Sequence, residues 1–173
     1  MALNWYRWTM AKQESLEQQL IQVWRRHNQI MLYLTEQIPP KGADAVPSLS
    51  RGRTVAEQFA HLDRVRRAWL AYHAIGTRPK LEKAKKGAPR PLAELRSRLN
   101  ESGEEVEEYL RRAFRSEAKI RMFGGSAVRW MGYLISHESH HRGSIMLAMK
   151  QCELRMPESV AVKGIWGKWI LGK

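Results

Sequence analysis

Residues 53–72 read RTVAEQFAHLDRVRRAWLAY, and this stretch decides the fold. Thr54 is followed three residues later by Glu57, the pairing in which a hydroxyl caps free amides at a helix start while the carboxylate reaches back to complete a capping box. Val55, Phe59, Leu62, Val65, Trp69 and Tyr72 then recur at steps of three and four, the spacing that lines one face of an α-helix. Gly76 and Pro79 in "IGTRP" supply the stop. His61 sits at the edge of this apolar face, beside Val65 and Tyr72.

The same period appears on both sides of this segment. Upstream, from about Lys12 to Ile38, the positions Leu16, Leu20, Val23, His27, Ile30, Leu34 and Ile38 form a stripe, which "IPPKGADAVPSLSRG" ends because paired prolines cannot continue a helix. Downstream, a helix starting near Pro91 carries Leu92, Leu95, Leu99, Gly103, Val106, Leu110 and Ala113, and Gly103 on that stripe invites a close approach by another helix or a ligand. After "FGGS", a fourth helix runs from about Ser126 to Cys152. The tail "PESVAVKGIWGKWILGK", aromatic and broken by glycines, is expected to pack over one end. No segment alternates like a strand, and no repeat is present. The expectation is an all-α chain, a four-helix bundle, forming one domain over residues 1–173.

The formal charge is +13, and residues 51–100 carry thirteen Lys and Arg against four Asp and Glu. The densest part, "TRPKLEKAKKGAPRP" at 77–91, lacks the aromatic residues that stack on bases and reads as a solvated basic connection. Nucleic acid is therefore not the expected partner. Cys152 is the only cysteine, so no intramolecular disulfide can form and a reducing cytoplasm fits. With no signal-peptide pattern and no apolar run near the ~18 residues of a membrane span, the expectation is a soluble, unexported protein.

Half of the six histidines lie in "ISHESHHRGSI", residues 135–145. At about 100° per residue, His141 falls near the middle of the face formed by Trp130, Met131, Leu134, Ile145 and Met149. His137, one turn earlier, makes with it an i, i+4 pair able to grip one ion from the same side, while His140 points outward. A protein metal site usually takes at least three protein ligands. His61 is the first candidate to complete it, with His27 in reserve and otherwise a core histidine with a polar neighbour. His73, near a helix end, reads as structural or capping.

His137, Glu138 and His141 also satisfy the H-E-x-x-H pattern, in which the glutamate of zinc proteases is a general base. The extended pattern fails, since Ser144 and Leu147 stand where a glycine and a further histidine belong. Glu138 falls on the inward face, where it can orient a ligand histidine, accept a proton, or pair with one of the many arginines.

Together, "GRTVAEQFAHLDRV", the "ESG" of the third helix and "ISHESHHRGSIMLAMKQCELRMP" resemble the DinB-like, or YfiT-like, family of metal-dependent enzymes, over most of the chain. The resemblance implies a four-helix bundle with an unusual helix order and one divalent ion, nickel or zinc, held by three histidines. Those fall on His61, His137 and His141. Relatives of that family include transferases of low-molecular-weight thiols such as bacillithiol and mycothiol, and the family name does not imply DNA binding. The basic connection is no part of the resemblance.

Three neutral imidazoles leave coordination positions open, as in catalytic rather than closed structural sites. The leading expectation is a transferase that activates a small thiol for attack on a small electrophile, with Glu138 as the catalytic or supporting carboxylate and arginines such as Arg142 holding substrate carboxylates. The alternatives are a metal-dependent hydrolase of a small ester or amide, and a non-enzymatic basic protein on nucleic acid with a structural metal. Apolar residues on the first helix and in the tail offer a surface for a homodimer; no membrane partner is expected.

Overall fold

A computed structural model describes residues 14–47, 52–77 and 90–172. Four long helices make the bundle: α1 (Leu16–Glu36), α2 (Val55–Ile75), α3 (Leu92–Phe114) and α4 (Ala127–Gln151). A fifth, α5 (Ser159–Leu171), is wound with the wider π pattern and packs on α1. No strand occurs among the described residues. None of their helices is long and apolar enough to cross a membrane. The N-terminal residues 1–13 and the basic stretch 78–89 lie outside the described residues.

Local chemistry sets the helix ends. The Thr54 hydroxyl accepts from the Glu57 amide at 3.1 Å while the Glu57 carboxylate accepts from the Thr54 amide at 2.9 Å, so the capping box read in the sequence starts α2. A second box, Ser15 with Gln18, starts α1, and the Ser126 side chain caps α4. Gly76, at φ 81°, ends α2 in the left-handed conformation that costs glycine least.

The apolar interior is divided. One cluster gathers the C-terminal half of α1 (Ile30, Met31, Leu34), the start of α2 (Val55, Phe59, Leu62), Leu95 and Leu99 of α3, and Ile145 and Met149 of α4. The other joins Ile21 and Trp24 of α1, Val106 and Leu110 of α3, and Trp130, Met131 and Leu134 of α4. Between them, at matching levels, lie the buried polar residues His27, Asn28, Arg66, Ser102 and Glu138. Burying such groups is tolerable only when each finds a partner.

They do. Both Glu138 oxygens accept from Arg66, from Nε at 2.7 Å and from Nη2 at 2.6 Å, and Oε2 also meets His27 Nε2 at 2.9 Å. Arg66 Nη1 donates to Asn28 Oδ1 and to the Leu99 carbonyl, each at 2.8 Å. The planar fork of an arginine suits this bidentate grip, which a lysine could not make. Four helices are thereby tied at one level.

This layer corrects two helix faces drawn from the sequence. On α4 the central inward position belongs to Glu138, one turn after Leu134 and two before Ile145, so His137 and His141 lie at the edge of the face and not at its middle. On α1 the stripe is rotated: Ile21 and Trp24 are buried, whereas Leu16 and Val23 are exposed. Steps of three and four allow neighbouring faces, and the heavier Trp24 side chain wins the interior.

Gly103 admits the close approach that its place on the stripe suggests. Trp24 Nε1 donates to its carbonyl at 2.9 Å, and a Cβ there would collide with the Asn28 amide. Asn28 is held by Arg66 and cannot swing aside cheaply. Gly103→Ala is expected to cost about 1–3 kcal/mol through overpacking, read as an earlier midpoint in urea with an unchanged slope. An unchanged midpoint would mean that the polar layer yields more easily than its hydrogen bonds imply.

Candidate metal centre

Where α2 and α4 meet, His61 faces His137 and His141. Ring centroids stand 5.3 Å apart for His61 and His137, 4.9 Å for His61 and His141, and 4.8 Å for His137 and His141. One nitrogen from each ring can be chosen so that all three lie within 4.8 Å of one another, and the three could hold a metal ion. An ion ~2.1 Å from each ligand in tetrahedral geometry separates the nitrogens by about 3.4 Å, a closure within reach of small side-chain rotations. All three rings are partly buried.

The charge state suits such a role. Burial, then the Arg53 guanidinium and the two neighbouring rings, pushes His61 down to about 4. Burial, followed by His137, His140 and Arg53, takes His141 to about 4 as well, and burial lowers His137. The rings are thus neutral at pH 7, with lone pairs free. His137 Nδ1 is buried without a partner among the described residues, a donor or lone pair that a bound ion or a rotation of the ring would satisfy. The donor set therefore fits a divalent ion that favours imidazole.

A partner missed in the sequence orients one ring. Gln58, buried and one helical turn before His61, places Oε1 3.1 Å from His141 Nδ1. The amide oxygen can only accept, so the ring donates through Nδ1 and keeps Nε2 as its free lone pair. Arg64 Nη2 donates to His61 Nδ1 at a longer 3.4 Å. The signal for Gln58 was there: a polar residue among the apolar ones of α2, next to a histidine. Gln58→Leu is expected to weaken zinc binding roughly 10–100-fold, as removal of outer-shell partners does, measured by competition with a chromophoric chelator. Unchanged affinity would remove Gln58 from the site.

The other expected residues lie elsewhere. Glu138 turns away from the triad into the polar layer, where Arg66 and His27 hold it at about 2 against the opposing effect of its complete burial. His27 is its partner and is not gathered with the triad. His140 is exposed. Arg142 is partly buried, and burial lowers its pKa. His73 is buried and accepts the Arg121 amide at Nδ1 (3.2 Å), while the Arg121 guanidinium donates to the His73 carbonyl at 2.8 Å, a cation at the end of α2.

Burial, then Arg121, also takes His73 to about 4. A folded value below that of the unfolded chain means that the folded state binds fewer protons, so stability is complete above about pH 6.5 and falls as pH drops toward 4. Below that this imidazole contributes no further loss. Metal-free protein is expected to need less urea to unfold at pH 4.5 than at pH 7, and His73→Phe should shrink the difference. An equal midpoint at both pH values would contradict the neutral buried imidazole.

An aromatic seam continues from the triad along the α2–α4 junction. Tyr133, one turn before His137, lies parallel to its ring (centroids 5.8 Å, planes 15° apart). Trp69, two turns after His61, meets Tyr133 edge-on at 5.7 Å, so the two helices run antiparallel. Phe123 closes on both, at 4.8 Å from Trp69 and 5.3 Å from Tyr133. Its backbone belongs to four successive residues with positive φ, Met122 (78°), Phe123 (52°), Gly124 (62°) and Gly125 (75°). Two of these are not glycine, a strain of about 1–3 kcal/mol each that surrounding structure must sustain.

A search of curated proteins finds no significant match to this chain. The sequence model described as the DinB family matches residues 10–157, which include all four bundle helices, the three converging histidines and Gln58. The chain belongs to the DinB family.

Proposed function

We propose that this chain is a transferase, dependent on one zinc or nickel ion at His61, His137 and His141, that couples a low-molecular-weight thiol to a small electrophile. The observation that carries the reading is the convergence of three uncharged imidazoles on a partly exposed seam. Three protein ligands leave positions for solvent or substrate, as catalytic sites do. When bound, the ion stabilises a thiolate and so supplies a nucleophile at neutral pH.

The protein's own groups do the rest. His61, His137 and His141 fix the approach from one side, and the Gln58 acceptor keeps the His141 ring from turning. Arg53 is exposed and Arg64 partly so, and neither makes an ion pair among the described residues, although most ion pairs there involve an arginine. Both bear on His61 electrostatically, and they draw an anionic thiol toward the seam. The thiol proton passes to water. The sulfur then forms a bond to carbon as the carbon–halogen bond breaks, and the halide leaves with its electron pair.

Glu138 enters as a positioning group and not as the proton acceptor expected of the H-E-x-x-H pattern. A carboxylate held at about 2 with both oxygens engaged is a poor base at pH 7. The free, exposed Cys152 fits a reducing cytoplasm, the location this reading carries. Zinc-loaded and chelated protein should be compared with cysteine, N-acetylcysteine and coenzyme A as thiols, and with iodoacetamide and a chlorodinitrobenzene as electrophiles. Metal-dependent conjugation with at least one pair is the expected result. Its absence with every pair would end the reading, and turnover of a nitrophenyl ester without thiol would replace it with hydrolysis.

A further inference from the structure

From the aromatic seam we infer that the electrophile is an uncharged, planar molecule whose ring lies along Tyr133, Trp69 and Phe123 while its reactive carbon reaches the histidine triad. The inference rests on the metal site proposed above and adds the class of the second substrate.

Position carries it first. Tyr133 is stacked on His137 itself, so the seam begins at a ligand, and one ring-width of 5.7 Å leads on to Trp69. A planar molecule of one or two rings spans that distance with its end at the triad. Aromatic faces prefer offset or edge contacts with other rings, which Trp69 and Phe123 already make with Tyr133 and can extend to a guest.

Exposure and polarity come next. Tyr133 is 36% exposed, and Trp69 and Phe123, which pack against the buried cluster of Trp130, Met131 and Leu134, still leave part of their surface exposed. Among the described residues neither the Tyr133 hydroxyl nor the Trp69 indole N–H has a hydrogen-bond partner; Tyr133 is an exposed residue, and the Trp69 nitrogen is not among the buried unpartnered atoms. Two free donors at the rim of an apolar wall select a neutral guest with an acceptor such as a nitro or carbonyl oxygen. Arg64, whose Nη2 lies 3.4 Å from His61 Nδ1, puts a positive charge at the triad end of the seam, which disfavours a cationic guest there.

The conformation of the 122–125 segment is the third point. Met122 and Phe123 hold positive φ, and the segment so shaped carries the Phe123 ring 4.8 Å from Trp69 and 5.3 Å from Tyr133.

Two measurements test the inference. In metal-free protein labelled with nitrogen-15, naphthalenemethanol, a neutral planar probe, is titrated while the indole N–H of Trp69 is followed, its signal identified by its loss in Trp69→Phe. A saturable shift of that signal is expected, and its absence overturns the subsite. In zinc-loaded protein, calorimetry then compares benzohydroxamate with acetohydroxamate, which share the metal-binding head and differ in the ring. Benzohydroxamate should bind at least tenfold more tightly, and Tyr133→Ala should bring the ratio of the two affinities close to one. If acetohydroxamate binds and the ring adds nothing, the subsite fails and the metal site stands. If neither hydroxamate binds but the Trp69 signal still shifts, the metal site fails and the planar subsite stands alone. Should Trp69→Phe fold poorly, the exposed Tyr133→Ala still decides the matter.

Discussion

Alanine in place of His61 or His141 is expected to lower zinc or nickel affinity at least about 100-fold, while His140→Ala keeps wild-type affinity. The magnitude follows from zinc sites whose four ligands contribute about 10–16 kcal/mol together, or roughly 3 kcal/mol for each imidazole, and 1.4 kcal/mol is tenfold. His140 serves as the control because it neighbours His141 in the chain, with ring centroids 5.4 Å apart, yet is exposed and outside the gathered nitrogens. Elemental mass spectrometry of untagged protein gives the occupancy. About one ion per chain, lost in the first two variants and kept in the third, is the expected pattern. Wild-type protein that stays empty after incubation with either ion would make the histidines structural.

Arg66→Ala is expected to be the most damaging single change to stability, at about 3–5 kcal/mol, because it leaves the Glu138 carboxylate buried without its bidentate partner. It also removes the donor to Asn28 and to the Leu99 carbonyl, and the guanidinium that lies over the Trp24 ring at 5.1 Å. Against a typical total of 5–15 kcal/mol, the loss approaches global unfolding at 37 °C, or a fall in Tm of about 10–15 °C for a chain of this size. A double variant, Arg66→Met with Glu138→Leu, should recover part of it, since an apolar pair avoids the stranded charge while His27, Asn28 and the Leu99 carbonyl still lack these partners. If the single variant is as stable as wild type, Glu138 has found water or a proton, and the layer is less closed than its burial indicates.

Much of this architecture could be read from residue spacing. The capping box at Thr54 and Glu57 and the glycine stop at Gly76 start and end α2 within a residue of where the sequence puts them, because caps are local chemistry. The pairing of His137 with His141 is equally local, one turn of one helix. Convergence with His61 was reached through the edge of a stripe and through family resemblance. What remained hidden depends on contacts between residues far apart in the chain. Glu138 and Arg66 are 72 positions apart, and nothing local says which arginine meets the glutamate. The rotation of α1 that buries Trp24 and exposes Val23 is likewise settled by the neighbours it packs against. The aromatic seam needs α2, α4 and a strained connection at once, so Trp69 reads as an ordinary stripe residue, and Tyr133 and Phe123 carry no signal of their own, until the helices are brought together.

The buried polar level between the two apolar clusters has a consequence for how the molecule is assembled. Greasy side chains tolerate sliding: a helix shifted by one turn, about 5.4 Å, can still bury leucines against leucines. A guanidinium and a carboxylate do not, since the same slip would strand a charge among methyl groups. Glu138 and Arg66 therefore act as a registration mark between α4 and α2. His137 directly precedes the one and His61 lies five residues before the other, so the mark that aligns the helices also levels the histidines. Alignment of the three histidines is then a property of the fold itself, achieved while the protein assembles.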